Sequence, residues 1–213
     1  MQTALDILSV LLVLANLRLL GSSRLSACIQ TVAIQAVLLG TTAILANASH
    51  LDVRLVAIVL VSTALKAGVL PWLLRRALRE SEANKEVQPF IGFTPSLLAG
   101  AGLLGVCFFI AAPLQSDVIG SSLLIPVSLF TVVAGLLVIV SRRKAITQVV
   151  GYLAMENGIY AFGMAFAIQE PLLVEMGVLL DVLVAVFVMG IIIYHISREF
   201  DHMDTDRLAE LKD

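Results

Sequence analysis

The sequence is dominated by seven apolar stretches, each long enough to cross a lipid bilayer as a helix. An α-helix rises about 1.5 Å per residue, so roughly 20 apolar residues span the hydrocarbon core. The stretches are residues 3–20, 26–46, 51–74, 94–113, 120–140, 145–168 and 172–196. Only 14% of the residues are charged, whereas a soluble domain carries about 25%. The sequence therefore predicts an all-α, polytopic membrane protein with seven transmembrane helices in a single transmembrane domain, residues 1–213.

The basic residues alternate between connections as seven spans require. They concentrate after the first, third and fifth stretches and in the tail: Arg18, Arg24, Arg75, Arg76, Arg79, Lys85, Arg142, Arg143, Lys144, Arg198, Arg207 and Lys212. Because Lys and Arg favour the cytoplasmic side, the N-terminus is predicted outside and the C-terminus inside. Residues 75–93 are then a cytoplasmic loop, and residues 197–213 are a cytoplasmic tail.

A weak internal repeat accompanies this topology. A shift of 118 residues aligns residues 23–45 with residues 141–163 and pairs eight identical residues among 23. The alignment indicates a parallel repeat of helices one to three and five to seven, an arrangement known in transport folds. Glu156 then replaces Leu38, and Asp181 replaces Thr63, so the acids belong to the second copy.

Glu156 and Asp181 lie near the middle of the last two apolar stretches. A charged carboxylate at mid-bilayer depth costs roughly 2.5–3.5 kcal/mol on insertion scales, and such residues usually serve ion or proton traffic. Each acid is predicted to relay protons; the alternative is a neutral acid that hydrogen-bonds a neighbouring helix. Glu175 lies nearer the outer surface. It is predicted to be either a group for proton uptake or release or an interfacial residue.

Lys66 is a third charge within an apolar stretch. Its long side chain could extend so that the ammonium group reaches the cytoplasmic surface. Alternatively, Lys66 could relay protons, or act as counter-ion to Glu156 or Asp181. Pro71 frees the carbonyl of Ala67 from helical hydrogen bonding and favours a kink or local water.

Two further groups of residues have predicted structural roles. A helix-packing group surrounds Glu156, because Gly151, Met155 and Gly158 share one helix face and small residues permit close helix contact; Asn157 belongs to the same group. The polar residues Gln30, Gln35, Gln148 and Asn157 could hold hydration inside the bundle.

The sequence carries no recognisable catalytic, metal or cofactor site. Cys28 and Cys107 lie within apolar runs without CxxC or Cys/His spacing, so we interpret both as core residues. There is no glycine-rich phosphate loop, and no basic stripe indicates nucleic acid. We expect the lipid bilayer to surround the helices.

One part of the sequence resembles the second helix of the K subunit of respiratory complex I. It consists of the basic residues Arg142, Arg143 and Lys144, followed by Gly151, Met155 and Asn157 at the spacing of that helix. They also resemble the C subunit of multisubunit sodium/proton antiporters. The K subunit pattern has a glutamate where this chain has Leu153, and Glu156 lies one turn later. Asp181 stands where the following helix of that subunit carries a second buried glutamate.

Over nearly the whole chain, the sequence is more similar to the hydrogenase-4 membrane component E family. The similarity covers Lys66 with Pro71, residues 151–158 (GYLAMENG), residues 170–175 (EPLLVE), Asp181 and residues 203–212 of the tail. It implies a subunit without cofactors of its own, in a bacterial or archaeal inner membrane, beside antiporter-like subunits of a hydrogenase or complex-I-like assembly.

The resulting hypothesis is proton or sodium transfer through Glu156, Asp181, Lys66 and Glu175 within that assembly. The redox centres would belong to partner subunits. Two alternatives stay open: a subunit of a cation/proton antiporter, and a structural subunit that transfers no ion.

Overall fold

The computed structural model describes residues 2–48, 52–80, 87, 90–117 and 122–166. The helices are α1 (Gln2–Gly21), α2 (Leu25–Ala46), α3 (Val53–Ala64), α4 (Leu70–Glu80), α5 (Phe93–Ala111), α6 (Leu124–Ser141) and α7 (Ala145–Phe166). A π-helical segment (Leu65–Val69) joins α3 to α4, and a short 3-10 helix (Ala112–Asp117) follows α5. These ranges hold no β-strand, which confirms the all-α prediction for the part of the chain that is described.

Four helices, α1, α2, α6 and α7, form the centre of the described structure. Tight connections at residues 22–24 and 142–144 join α1 to α2 and α6 to α7. Further contacts between α1 and α6 and between α2 and α7 unite the two pairs. Leu19, Ile29, Phe130 and Val150, one from each helix, belong to a single buried apolar cluster. This four-helix core sets the positions of the polar residues discussed below.

The remaining helices lie on the outside of this core. Helix α5 contacts α1 and α6, whereas α3 and α4 pack against α2. Only 17% of the apolar α5 span is buried, compared with 61% of α6. Large apolar side chains such as Phe109, Leu98 and Val140 are exposed on the surface of the chain. An apolar surface of this kind suits lipid or neighbouring subunits rather than water.

Five helices within the described ranges are long and apolar enough to cross a membrane. They are α1, α2, the continuous helix through α3 and α4, α5 with its 3-10 extension, and α6. Helix α7 has sufficient length, but Glu156 and Asn157 interrupt its apolar sequence. The prediction of a helical membrane protein with several spans is therefore confirmed. The seventh predicted stretch, residues 172–196, lies outside the described residues.

The connection between α4 and α5 is partly helical and attaches to both tight turns. Helix α4 continues to Glu80, so residues 75–80 of the segment predicted as a loop are helical. Beyond it, the N–H groups of Val87 and Phe90 donate to the carbonyls of Ser23 and Ser141, each at 2.8 Å. One segment therefore contacts the turn of each helix pair.

Candidate functional site

Helix α7 is held against α6 by direct backbone contact. A Cβ atom added to Gly158 would lie 2.5 Å from the nitrogen of Val132, and one on Gly151 would lie 2.9 Å from the oxygen of Gly135. The backbone of Met155 in turn comes against Gly135. No larger residue fits these contacts without displacing a helix backbone. This packing fixes the rotation of α7, and with it the position of Glu156 on a different side of the helix.

Lys66 lies in the π-helical segment, near the middle of the continuous helix from Val53 to Glu80. The N–H of Leu70 donates to the carbonyl of Leu65, which closes the wider π turn. Pro71 follows directly and has no N–H to donate. Pro71 was expected to cause a kink or to admit local water, and the structure has a π turn just before it, a feature frequent at functional sites. Lys66 is 8% exposed.

Lys66 and Glu156 form a buried ion pair between this segment and α7. The Nζ atom of Lys66 lies 2.9 Å from Oε1 of Glu156, and their side chains are 9% and 3% exposed. Glu156 follows Ala145 by eleven residues, which places it about 17 Å along α7. Both charges therefore lie near the middle of their helices. Of the two counter-ions considered for Lys66, the structure places Glu156 beside it.

A tyrosine contacts the same ammonium group. Nζ of Lys66 lies 5.2 Å from the centroid of the Tyr160 ring, one helical turn beyond Glu156. An ammonium at this distance is attracted by the ring face, and more strongly where water is excluded. The charge of Lys66 is therefore stabilised by a carboxylate and by an aromatic ring.

A hydrogen-bonded group of polar side chains joins three helices of the core. Nε2 of Gln35 donates to Oδ1 of Asn16, and Nδ2 of Asn16 donates to Oγ1 of Thr131, both at 2.8 Å. All three residues are at most 1% exposed. Sequence reasoning missed Asn16 and Thr131; the signal was a polar residue inside an otherwise apolar span. Of the residues proposed to hold hydration, Gln35 and Asn157 are buried, whereas Gln30 and Gln148 are exposed.

Arg142 is buried at the end of α6 and binds three elements. Its guanidinium donates to the carbonyls of Leu20 (2.8 Å) and Ile91 (3.2 Å) and lies 4.8 Å from the Phe93 ring centroid. Burial lowers the pKa of Arg142 from its ordinary value, but a guanidinium starts so high that it stays protonated. The positive charge therefore stabilises the carbonyl end of α1.

The other predicted relays, Asp181 and Glu175, lie outside the described residues. Among the residues that the structure does describe, no three His, Cys, Asp or Glu side chains cluster as metal ligands would. Cys28 and Cys107 are buried free thiols. The candidate site within the described ranges is thus the Lys66–Glu156 pair with the polar side chains of the adjoining core.

The fold and this site define a polytopic helical membrane protein with an internal ion pair. Hydrogenase-4 component E of Escherichia coli (strain K12) is 30% identical over 148 residues, which cover 69% of this chain and 68% of that protein. The uncharacterized protein Rv0085 of Mycobacterium tuberculosis is 35% identical over 204 residues, or 95% of this chain and 93% of that protein. No solved structure matches the chain.

A family model described as NADH-ubiquinone/plastoquinone oxidoreductase chain 4L matches residues 123–213, which include α6 and α7. The chain belongs to the hydrogenase-4 component E family, whose members are membrane subunits of complex-I-like oxidoreductase and hydrogenase complexes. The resemblance drawn from the sequence is confirmed. The matched region contains Glu156 but not Lys66, so the ion pair joins the matched region to the part of the chain that precedes it.

Proposed function

We propose that the chain contributes a buried charged segment to a path for proton or sodium transfer in a complex-I-like hydrogenase or related respiratory assembly. The observation that carries this proposal is the ion pair between Lys66 and Glu156 at mid-helix depth. Glu156 and Lys66 are the relays within the described residues, and Asp181 and Glu175 are proposed as further groups on the path. The partners are antiporter-like membrane subunits in a bacterial or archaeal inner membrane.

The chemistry of the pair suits transfer of a positive charge. A carboxylate and an ammonium in contact can exchange one proton to become a carboxylic acid and an amine, with no change in net charge. Arrival of another proton or cation at the carboxylate would weaken its hold on Lys66, because the two positive charges compete. Tyr160 then offers the ammonium its second contact. The side chain of Lys66 can therefore respond to the charge state of Glu156.

The π segment supports this response. It contains one residue more per turn than the flanking helix, and relaxing it to an α-helix rotates the residues on one side relative to the other. Gly68 in this segment has open space around its Cα, because an added Cβ would meet nothing within 4 Å. The wide turn lets Lys66 move at lower cost than it could in a regular helix, and no described residue obstructs the helix at Gly68.

The finer topology belongs to the same proposal: seven spans, the N-terminus outside, the C-terminus inside, and a parallel repeat. Support for the repeat comes from the connecting segment. Ser23 and Ser141, which the shift of 118 residues aligns, both accept a backbone hydrogen bond from it. Helices α2 and α7 also begin at nearly corresponding positions, Leu25 and Ala145.

The decisive experiment compares charge removal with charge imbalance in the intact complex. Glu156→Gln alone leaves Lys66 charged and buried, whereas Glu156→Gln with Lys66→Met removes both charges. Each complex is purified, its subunits are counted, and proton uptake is measured in proteoliposomes during turnover. Glu156→Asp is the control that keeps a carboxylic acid. If the pair transfers protons, the double variant assembles but its pumping is lost.

Other outcomes separate the alternatives. Restored assembly with normal pumping in the double variant contradicts transfer and supports a structural subunit. Cation/proton exchange by a preparation that lacks hydrogenase subunits supports an antiporter assembly. Replacement of proton uptake by sodium uptake under the same conditions identifies the ion without changing the proposed path.

A further inference from the structure

A layer of buried polar side chains crosses the four-helix core. We define the polar layer as Asn16 on α1, Gln35 on α2, Thr131 on α6 and Asn157 on α7. Each of these residues is at most 2% exposed. Along its own helix, each one falls between members of two different apolar clusters. One cluster contributes Leu19, Val32, Ala134 and Ala154, and the other contributes Leu12, Leu39, Val127 and Ala161.

Two atoms of the polar layer have no hydrogen-bond partner within the described part of the chain. They are Oε1 of Gln35 and Nδ2 of Asn157. The amide nitrogen of Gln35 is already committed to Asn16, so turning the amide around would leave a nitrogen unpaired instead of an oxygen. Buried polar atoms in folded proteins are nearly always paired, either with protein or with ordered water.

These two atoms belong to the same level of the contact between α2 and α7. Gln35 lies three residues after Val32 and four before Leu39; Asn157 lies three after Ala154 and four before Ala161. Val32 shares one apolar cluster with Ala154, and Leu39 shares the other with Ala161. Helices α2 and α7 are in contact, and the order of the two clusters along each helix is that of two parallel helices, with Gln35 and Asn157 at comparable heights.

The unpaired atoms are one acceptor and one donor, which identifies the missing ligand. A water molecule donates to an amide oxygen and accepts from an amide nitrogen at the same time. A bare cation would pair with the oxygen of Gln35 only, while facing the N–H groups of Asn157. In this arrangement one water molecule satisfies both atoms, whereas a bare cation satisfies only the oxygen of Gln35.

We infer that the polar layer binds an ordered water molecule, which donates to Oε1 of Gln35 and accepts from Nδ2 of Asn157. The site lies at the level of the ion pair, because Asn157 directly follows Glu156 on α7, and the two side chains leave the helix about 100° apart. The presence of this water molecule does not depend on ion transfer by the protein. Its use, as a source and acceptor of protons for Glu156 from the α2 side, rests on the function proposed above.

A double-mutant cycle in the intact complex tests whether one ligand couples the two residues. Gln35→Met and Asn157→Leu each keep the side-chain size but remove the polar atoms, and each lowers the Tm of the complex. If one water bridges them, the double variant lowers Tm by clearly less than the sum of the two shifts, because the water is already lost in either single variant. Additive shifts overturn the proposal.

A control pair and a direct observation complete the test. Gln35→Met with Ser141→Ala should be additive, since Ser141 lies at the end of α6, away from the polar layer. Cryo-electron microscopy of the complex, at a resolution that shows ordered water, should give density within hydrogen-bonding distance of both amides. Missing density at that resolution, or a peak coordinated by oxygen atoms only, overturns the proposal.

The two proposals fail separately. Density at the polar layer with unaltered pumping by the double charge variant (Glu156→Gln with Lys66→Met) leaves the water site standing and removes its role in transfer. Lost pumping in that variant with no density and additive Tm shifts leaves the ion pair as the relay and removes the water site.

Discussion

The two sides of α7 contrast in how they meet their neighbours. Towards α6, Gly151 and Gly158 bring the backbone of α7 against backbone atoms of α6. Towards the π segment, α7 meets the long side chain of Lys66, which contacts Glu156 and the ring of Tyr160. The first contact is set by shape and tolerates no movement, whereas the second is set by charge and spans a flexible side chain. One helix thus combines a fixed support with an adjustable ion pair.

The largest effect is expected from breaking the fixed side. Gly158→Leu would force a side chain into the backbone of α6 at Val132, and neither helix can yield without moving the whole pair. We expect a loss of at least on the order of 5 kcal/mol, enough to prevent assembly. The measurement is the amount of chain recovered in the purified complex.

Gly102→Leu is the matched control for that substitution. Nothing lies within 4 Å of a Cβ at Gly102 on α5, so the same change in size should leave assembly intact. Equal damage from both substitutions would show that close contact at Gly158 is not what α7 requires.

The next effect comes from unbalancing the adjustable side. Lys66→Met leaves Glu156 buried without its ammonium partner, and removing one member of a buried ion pair costs about 3–5 kcal/mol. Adding Glu156→Gln should return most of that stability, because no uncompensated charge is left. Thermal unfolding of the complex measures both. If the double variant is as unstable as Lys66→Met, the loss of stability does not come from an uncompensated charge on Glu156.

A smaller effect is expected from the polar group beside the pair. Thr131→Val keeps the side-chain shape but removes the oxygen that accepts from Asn16. An unsatisfied buried donor costs about 1–3 kcal/mol, so Tm should fall by less than in Lys66→Met. Thr41→Val, at an exposed position on α2, is the control and should change Tm little.

The smallest effect concerns the aromatic contact. Tyr160→Leu removes the ring near Nζ of Lys66 and should cost about 0.5–2 kcal/mol. Tyr160→Phe keeps the ring face, so its loss in thermal unfolding should be smaller than that of Tyr160→Leu. A large loss with phenylalanine would mean that the hydroxyl of Tyr160, rather than its ring, is what matters.

The sequence predicted the helices well because long apolar runs in a membrane leave few alternatives. It also identified Lys66 and Glu156, since a charge inside such a run is conspicuous. It left the partner of Lys66 open, because a contact between residues 90 positions apart depends on how the π segment and α7 both pack against α2. Asp181 was an equal candidate on sequence grounds.

Other parts of the site were beyond sequence reasoning for a related reason. Asn16 and Thr131 each occur singly in an apolar helix, and they meet only because α1 and α6 pack across 115 residues of chain. The π turn could not be predicted from the sequence either. Pro71 indicated a disturbed helix, but this pattern is compatible with a kink as well as with a wider turn.

Arg142 has a consequence for how the chain is made. The carbonyl of Leu20, in the last turn of α1, accepts its hydrogen bond from a residue synthesised 122 positions later. Until that residue emerges from the ribosome, the end of α1 lacks this donor, and so does Ile91 before α5. The link from the end of α1 to the start of α5 therefore forms only after α6 has followed them into the membrane, late in the synthesis of the chain.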